Sequence, residues 1–124
     1  LVIGLITWIA GFSFEVIADE QKRKFRLQSS NKDQFISNGL WSISRHPNYF
    51  GEILLWIGMA IIAYPTLIGW QHLSLISPVF IYLLITRMSG VNLLENHADK
   101  KWGEDENYKE YKQNTPVLIP FLKT

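Results

Sequence analysis

The chain has 124 residues, of which 48% are hydrophobic and 14% aromatic, and its formal net charge is +1. It contains no cysteine, and this composition excludes a disordered chain, a collagen-like chain and a disulfide scaffold. Charge is strongly segregated: residues 53–86 contain no Asp, Glu, Lys or Arg, whereas residues 19–26 and 99–112 are dense in charge. With so small a net charge and so apolar a chain, no nucleic-acid partner is expected.

The first element is an apolar stretch over residues 1–18, which predicts a membrane-spanning helix. It opens on Leu1 with no basic region before it and is too long for a signal-peptide core. We therefore expect the chain to be the C-terminal part of a longer protein. Glu15 lies within this span, where a carboxylate costs roughly 2.5–3.5 kcal/mol and normally faces a polar cavity or a partner. We predict that it lines a site with Asp19, and the alternative is a helix-end carboxylate that reaches the interface.

The uncharged stretch that follows is too long for one span. As a single helix, residues 53–86 would extend about 51 Å, whereas the hydrocarbon core of a bilayer is ~30 Å thick. We predict two spans, residues 52–69 and 78–94, joined by a turn at residues 70–77. Pro78 fits the first turn of the third helix, because a missing N–H costs little there.

The positions of the basic residues predict the topology. All 12 Lys and Arg fall within residues 22–45 and 87–123. Three spans place both stretches at one membrane face and the uncharged turn at the other, which is the positive-inside pattern. The loop after the first helix and the C-terminal tail are therefore expected to be cytoplasmic. The alternative, a soluble bundle, is disfavoured because two uncharged helices in so short a chain would have no layer to cover them.

The segment before the second span is dense in polar groups. Pro47 bars a regular helix before it, so Arg45 and His46 are predicted to lie in non-helical backbone, with a helix starting near Asn48 and Glu52 on the same side as Asn48. Arg offers a planar fork for phosphate, His a donor that titrates near neutrality, and Asn both a donor and an acceptor. Beside a helix N-terminus, these groups predict a cradle for an anionic cofactor. The alternative is a juxtamembrane loop that contacts lipid headgroups.

Beyond the third span, the tail is predicted to form a charged helix from Glu95 to about Trp102, a break at Gly103, and a short helix through Tyr108 and Tyr111. The three histidines are scattered along the chain, so no metal site is expected. The basic cluster at residues 22–26 is interpreted as a lipid-facing anchor, with a phosphate contact as the alternative.

Two motifs carry a resemblance to a known superfamily. Residues 39–41 (GLW) and 44–52 (SRHPNYFGE) resemble the steroid 5-alpha-reductase-like membrane proteins, closest to a bacterial branch of uncharacterised function. The helix before these motifs and the tail after them match as well, so the resemblance covers nearly the whole chain. It implies an all-α integral membrane protein in which residues 1–124 form one membrane domain. That domain would have three transmembrane helices, a cytosolic loop and a helical tail, and would be the C-terminal part of a larger bundle.

The resemblance also implies a function. In that superfamily the C-terminal helices and cytosolic loops hold NADPH, and the apolar substrate enters from the membrane. The chain is thus expected to supply the cofactor pocket of an NADPH-dependent reductase of a lipid or steroid-like enone. By resemblance, the cofactor-binding residues are Glu15, Asp19, Arg26, Arg45, His46, Asn48, Tyr49, Glu52, Arg87 and Glu95. The superfamily's catalytic acid and tyrosine belong to upstream helices, which are the expected partners of this chain, so no catalytic residue is assigned.

Two alternatives remain open. Isoprenylcysteine carboxyl and phospholipid methyltransferases share the Arg-His-Pro-x-Tyr block and bind S-adenosylmethionine in a related pocket. They tend to carry paired glutamates near the position of Glu95, which Asn96 follows here, and Asn48 favours the reductases. The other alternative is a non-catalytic membrane scaffold or sterol-binding module.

Overall fold

The computed structural model describes residues 1–31, 33–88 and 90–121, with the backbone alone at residues 87, 88, 90 and 92. Over these residues the chain is helical and contains no strand. The α-helices are α1 (Val2–Leu27), α2 (Pro47–Ala63), α3 (Ser77–Leu83), α4 (Gly90–Trp102) and α5 (Glu106–Asn114). Short 3₁₀ segments lie at Ser29–Asn31, Gly39–Ser42, Tyr64–Thr66 and Gly69–Ile76, and a π-helical stretch lies at Leu84–Met88.

Three segments are long and apolar enough to cross a membrane, namely Val2–Leu27, Pro47–Thr66 and Gly69–Thr86. Only 17%, 11% and 6% of their most apolar windows are buried inside the chain, so most of their apolar side chains face outward. Helices with this kind of surface are stable in lipid, because all their backbone polar groups are satisfied internally. The predicted class, an all-α membrane protein, is confirmed.

At the site end both helices extend beyond the predicted spans 1–18 and 52–69, and the helix start predicted near Asn48 is confirmed. Helix α1 continues through a charged stretch to Leu27, and an ion pair along the helix supports this part of it: Arg23 donates to both carboxylate oxygens of Glu20, at 2.5 and 3.0 Å. Helix α2 begins at Pro47, since proline fits the first helical position.

The turn predicted at residues 70–77 is wrong. Between Pro47 and Leu83, all of which the structure describes, the chain is non-helical only at residues 67–68, and Gly69–Ile76 form a 3₁₀ helix that leads into α3. The polar side chains there bond to nearby backbone, because Gln71 Oε1 accepts from Ile68 N–H at 2.9 Å and Ser74 Oγ donates to the Gln71 carbonyl at 2.8 Å. The third predicted span, residues 78–94, is likewise not one helix, because the π-helical stretch separates α3 from α4, which runs to Trp102.

Helices α1 and α2 pack against each other through their backbones. A Cβ added at Gly51 would lie 2.6 Å from the Gly11 carbonyl oxygen and 2.6 Å from the Glu15 nitrogen, too close for any side chain. Glycine permits this approach, as in other membrane helix pairs with small residues at the contact. The contact glycines, seven residues apart on each helix, are Gly4, Gly11, Gly51 and Gly58.

The buried core lies at one end of the apolar helices. One cluster joins α2, the π-helical stretch, α4 and the tail, and consists of Ile53, Ile85, Val91 and Leu118. A second cluster joins α1 to the following loop, and there buried Trp41 donates from Nε1 to the Ala18 carbonyl at 3.1 Å. The loop also contacts α4, since Trp102 Nε1 donates to the Asp33 carbonyl at 2.8 Å. Both basic stretches therefore meet at the same end of the helices.

Candidate functional site

A cavity of about 350 Å³ lies at this end, between α1, the loop that follows it, α4 and α5. Its volume falls in the range of small-molecule and cofactor sites. The wall is unusually rich in aromatic rings, contributed by Phe25, Phe35, Trp41, Trp102, Tyr108 and Tyr111. Its acidic and basic side chains, histidines included, are Lys22, Arg26, Asp33, Arg45, His46, Glu95, His97 and Lys101. The wall thus suits a ligand that combines flat rings with anionic groups.

Phe35 holds the aromatic part of the wall together. Its ring centroid lies 5.2 Å from that of Tyr108, 5.5 Å from that of Tyr111 and 5.8 Å from that of Trp102. Edge-on and stacked ring pairs at such distances add stability beyond the apolar area they bury. The loop is thereby fixed to α4 and α5, and the cavity has a defined floor.

The two tyrosines of α5 also anchor the floor through their hydroxyl groups. Tyr108 donates to Asp99 Oδ1 at 3.1 Å, and Tyr111 donates to the Trp41 carbonyl at 2.5 Å. Burial raises the pKa of both phenols, so that each remains a neutral hydrogen-bond donor at physiological pH.

An ion pair crosses the inner wall of the cavity. Arg45 Nη1 donates to Glu95 Oε1, and the two side chains are only 11% and 18% exposed. His46 Nε2 lies 3.8 Å from the other oxygen of Glu95. Burial opposes the ionisation of Glu95, but its interactions with His46 and with the Arg45 guanidinium outweigh burial and lower its pKa. Glu95 is therefore a carboxylate at neutral pH, and it orients Arg45.

His46 has unused hydrogen-bonding capacity. Its side chain is 8% exposed, and neither ring nitrogen has a hydrogen-bond partner in the described part of the chain. The ring stacks on Tyr49 at 5.8 Å and lines the cavity. Buried polar atoms are almost always paired, so an orphaned imidazole at a cavity wall points to a group that binds there.

A second group of polar side chains lies between α1 and α2, outside the cavity, and we call it the polar seam. Asn48 Nδ2 donates to Asp19 Oδ1 at 3.1 Å, and Asn48 Oδ1 accepts from the Tyr49 N–H at 3.0 Å. Glu15 lies close enough to Asp19 and Glu52 for their charges to interact. The stacked pair of His46 and Tyr49 connects the seam to the cavity.

The predicted site residues thus divide into two groups. The cavity contains Arg26, Arg45, His46 and Glu95, and the polar seam contains Glu15, Asp19, Asn48, Tyr49 and Glu52. The side chain of Arg87 lies outside the described residues.

The basic cluster at residues 22–26 also divides. Lys22 and Arg26 line the cavity, with Lys22 Nζ 4.9 Å above the Trp41 ring, so these two are not simple lipid-facing anchors. Arg23 instead pairs with Glu20 on the exposed face of α1.

The aromatic wall is the part of the site that sequence reasoning missed. Tyr108 and Tyr111 lie three residues apart on α5, a spacing that places two rings on one helix face. This spacing is a usable signal for the wall. Nothing local marks Phe35, which lies in the irregular loop.

Comparison with known proteins identifies the family of the chain. Residues 1–115 match the family described as "Protein of unknown function (DUF1295)", and the chain belongs to that family. It is 29% identical over 121 residues to 3-oxo-5-alpha-steroid 4-dehydrogenase 1 of Macaca fascicularis, covering 98% of this chain and 41% of that protein. It is 26% identical over 124 residues to steroid 5-alpha-reductase of Arabidopsis thaliana, with the same coverage.

A third relative, Delta(14)-sterol reductase of Saccharomyces cerevisiae, is 25% identical over 132 residues, covering 98% of this chain and 28% of that protein. The chain therefore spans about two fifths or less of the length of these relatives. No solved structure matches the chain. The membership in the steroid 5-alpha-reductase-like superfamily that the two sequence motifs predict is confirmed.

Proposed function

We propose that the full-length protein is a membrane-embedded, NADPH-dependent reductase of an enone double bond in a lipid or steroid-like substrate, and that this chain supplies its cofactor pocket. The relatives named as steroid and sterol reductases support the reaction class. The observation that carries the pocket is the cavity itself, in which aromatic rings, basic side chains and the orphaned His46 converge.

The residues present fit NADPH. Arg26 lines the cavity and forms no ion pair with any described residue, so its guanidinium is available to a phosphate. The aromatic wall offers faces on which a flat ring can stack. His46 would satisfy its unpaired nitrogens on a polar group of the ligand, while Glu95 keeps Arg45 oriented. When bound, NADPH would supply the hydride for the double bond.

The polar seam and the apolar helices would serve different ligands, the seam the cofactor and the helices the substrate. Asn48 Nδ2 donates to Asp19 Oδ1 beside the stacked pair of His46 and Tyr49, where further polar groups of a cofactor would meet them. An apolar substrate would arrive from lipid, and the surrounding helices would exclude water while charge develops on it. The catalytic acid and the rest of the substrate site would come from upstream helices of the same protein. Residues 1–124 would form one membrane domain that packs against those helices.

We also propose that the cavity end is cytoplasmic. Both basic stretches meet at that end, and the segment Gly69–Ile76 at the other end carries no Lys or Arg. The positive-inside rule then orients the loop and the tail towards the cytoplasm, the compartment that supplies NADPH.

A thermal-shift titration of the full-length protein in detergent tests the function. NADPH should stabilise the protein, by about 2.7 kcal/mol at a hundred times its Kd, whereas S-adenosylmethionine should not. Arg26→Ala should abolish most of this stabilisation. Arg23→Ala is the matched control, because Arg23 pairs with Glu20 away from the cavity. Stabilisation by S-adenosylmethionine alone would favour the methyltransferase alternative, and stabilisation by neither would favour the non-catalytic one.

A further inference from the structure

Ser44 is a buried hydroxyl that connects two distant parts of the chain. It has no exposed surface. Its Oγ donates to the Leu118 carbonyl at 2.6 Å and accepts from the His46 N–H at 3.2 Å. Its proton and one of its lone pairs are therefore committed to hydrogen bonds. Such a hydroxyl is placed to hold structure and is not presented to the cavity, whose wall does not include it.

The partner of Ser44 belongs to a short C-terminal segment, residues 115–118, which we call the strap. The strap makes two further hydrogen bonds to the site loop: Arg45 N–H donates to the Pro116 carbonyl at 2.8 Å, and Arg45 Nε donates to the Thr115 carbonyl at 3.2 Å. Leu118 is itself part of the buried core cluster with α2 and α4. The strap is thus fixed to the core at one end, and its carbonyls are hydrogen-bonded to the loop that carries Arg45 and His46.

We propose that Ser44 is a positioning residue that, through the strap, fixes the backbone of His46 so that its imidazole faces the cavity. Among the described residues, the strap bonds Arg45 through its backbone N–H and its guanidinium, and it reaches the His46 N–H through Ser44. The carbonyl of His46 is held separately, since it accepts from the Phe50 N–H at 3.1 Å. A hydroxyl can donate and accept at once, and alanine can do neither. Ser44→Ala would leave a buried carbonyl and a buried N–H unpaired, and the main chain of His46 would lose the bond that fixes it on its N–H side. The ligand-binding part of this inference rests on the proposed function.

The first test needs no ligand. Diethyl pyrocarbonate modifies accessible imidazoles, and mass spectrometry gives the rate at each histidine of the full-length protein. We expect Ser44→Ala to raise the modification rate of His46 severalfold, because local release of the loop exposes the ring. The rate at His72, which is already exposed, should stay unchanged. Ser42→Ala is the matched control, because Ser42 is exposed and its hydroxyl donates to the nearby carbonyl of Gly39.

The second test is a double-mutant cycle on NADPH affinity. Ser44→Ala should weaken NADPH binding about tenfold in the parent but have little effect in a His46→Ala background, since the serine acts through the histidine. If Ser44→Ala does not fold, Ser44→Cys takes its place, because the slightly larger thiol leaves no cavity and forms much weaker hydrogen bonds than the hydroxyl.

The outcomes separate this inference from the proposed function. Parent protein that does not bind NADPH would refute the proposed function, while the modification rate at His46 would still decide the role of Ser44. An unchanged rate at His46, or an equal loss of NADPH affinity with and without His46, would overturn the positioning role alone.

Discussion

Replacing Glu95 with glutamine removes the charge that pairs with Arg45 while keeping nearly the same shape. In the parent, Arg45 Nη1 donates to Glu95 Oε1, and His46 Nε2 lies 3.8 Å from the other oxygen. Glutamine can still accept one hydrogen bond from Arg45, but it cannot neutralise the guanidinium. The substitution therefore isolates the electrostatic part of the contact.

The expected cost follows from burial. Removing one partner of a fully buried ion pair costs about 3–5 kcal/mol, whereas an exposed pair contributes about 0–1 kcal/mol. With 11% of Arg45 and 18% of Glu95 exposed, the pair lies nearer the buried limit. Because glutamine retains a hydrogen bond, we expect Glu95→Gln to lower the free energy of unfolding by about 2–3 kcal/mol at pH 7.

The sign of the pH dependence follows from the pKa of Glu95, which in the folded protein lies below its ordinary value of 4.5. A lowered pKa stabilises the fold above the unfolded value, and this stabilisation is lost as the pH falls through the folded pKa. Glutamine does not titrate. The difference in stability between parent and variant should therefore be constant near pH 7 and shrink below pH 4.5.

Equilibrium unfolding in mixed detergent micelles, followed by far-UV circular dichroism, measures this difference. The matched control is Glu110→Gln, which removes an exposed carboxylate from α5 and should change stability by less than about 0.5 kcal/mol. Equal stabilities of the Glu95 variant and the parent at pH 7 would refute the reasoning. So would a difference that grows as the pH falls below 4.5.

Three further predictions concern the helix contact, the loop and the polar seam. Gly51→Ala should cost about 1–3 kcal/mol in the same unfolding assay, because its Cβ would meet the backbone of α1, and an unchanged stability would contradict the close contact. Trp41→Phe should cost about 1 kcal/mol through loss of the bond to the Ala18 carbonyl, and a stability equal to that of the parent would show that this bond contributes nothing. Asn48→Ala should weaken NADPH binding without impairing membrane insertion, and parental affinity would remove the seam from the cofactor site.

Much of the fold could be predicted from composition and local rules. The helices could be located from the apolar stretches and from the proline at position 47. Hydropathy and the restricted φ of proline are local properties, which a short stretch of sequence is enough to reveal. The connection between the second and third spans was misplaced for a related reason. Gln71 and Ser74 look like turn residues, but they bond to nearby backbone inside a 3₁₀ helix, which the residue types alone do not distinguish.

The site could be predicted only in part, because it depends on contacts between residues far apart in the chain. The Arg-His-Pro block indicated Arg45 and His46 as site residues. Glu95, which both of them contact, lies about 50 residues later in the sequence. Helical periodicity reports which residues share a face and gives no information on which faces meet. The aromatic wall was missed for this reason, since Phe35 meets Tyr108 and Tyr111 only in the folded chain.

The reach of the strap has a consequence for biosynthesis. Helices α1 and α2 contain their own contact glycines, so the pair can enter the bilayer and dock as soon as both have left the ribosome. The loop between them cannot yet form all its hydrogen bonds, because the carbonyls that accept from Ser44 and Arg45 belong to residues translated some 70 positions later. A nascent chain that stops before residue 115 would be inserted and paired in the membrane, yet its site loop would lack the last partners that close it.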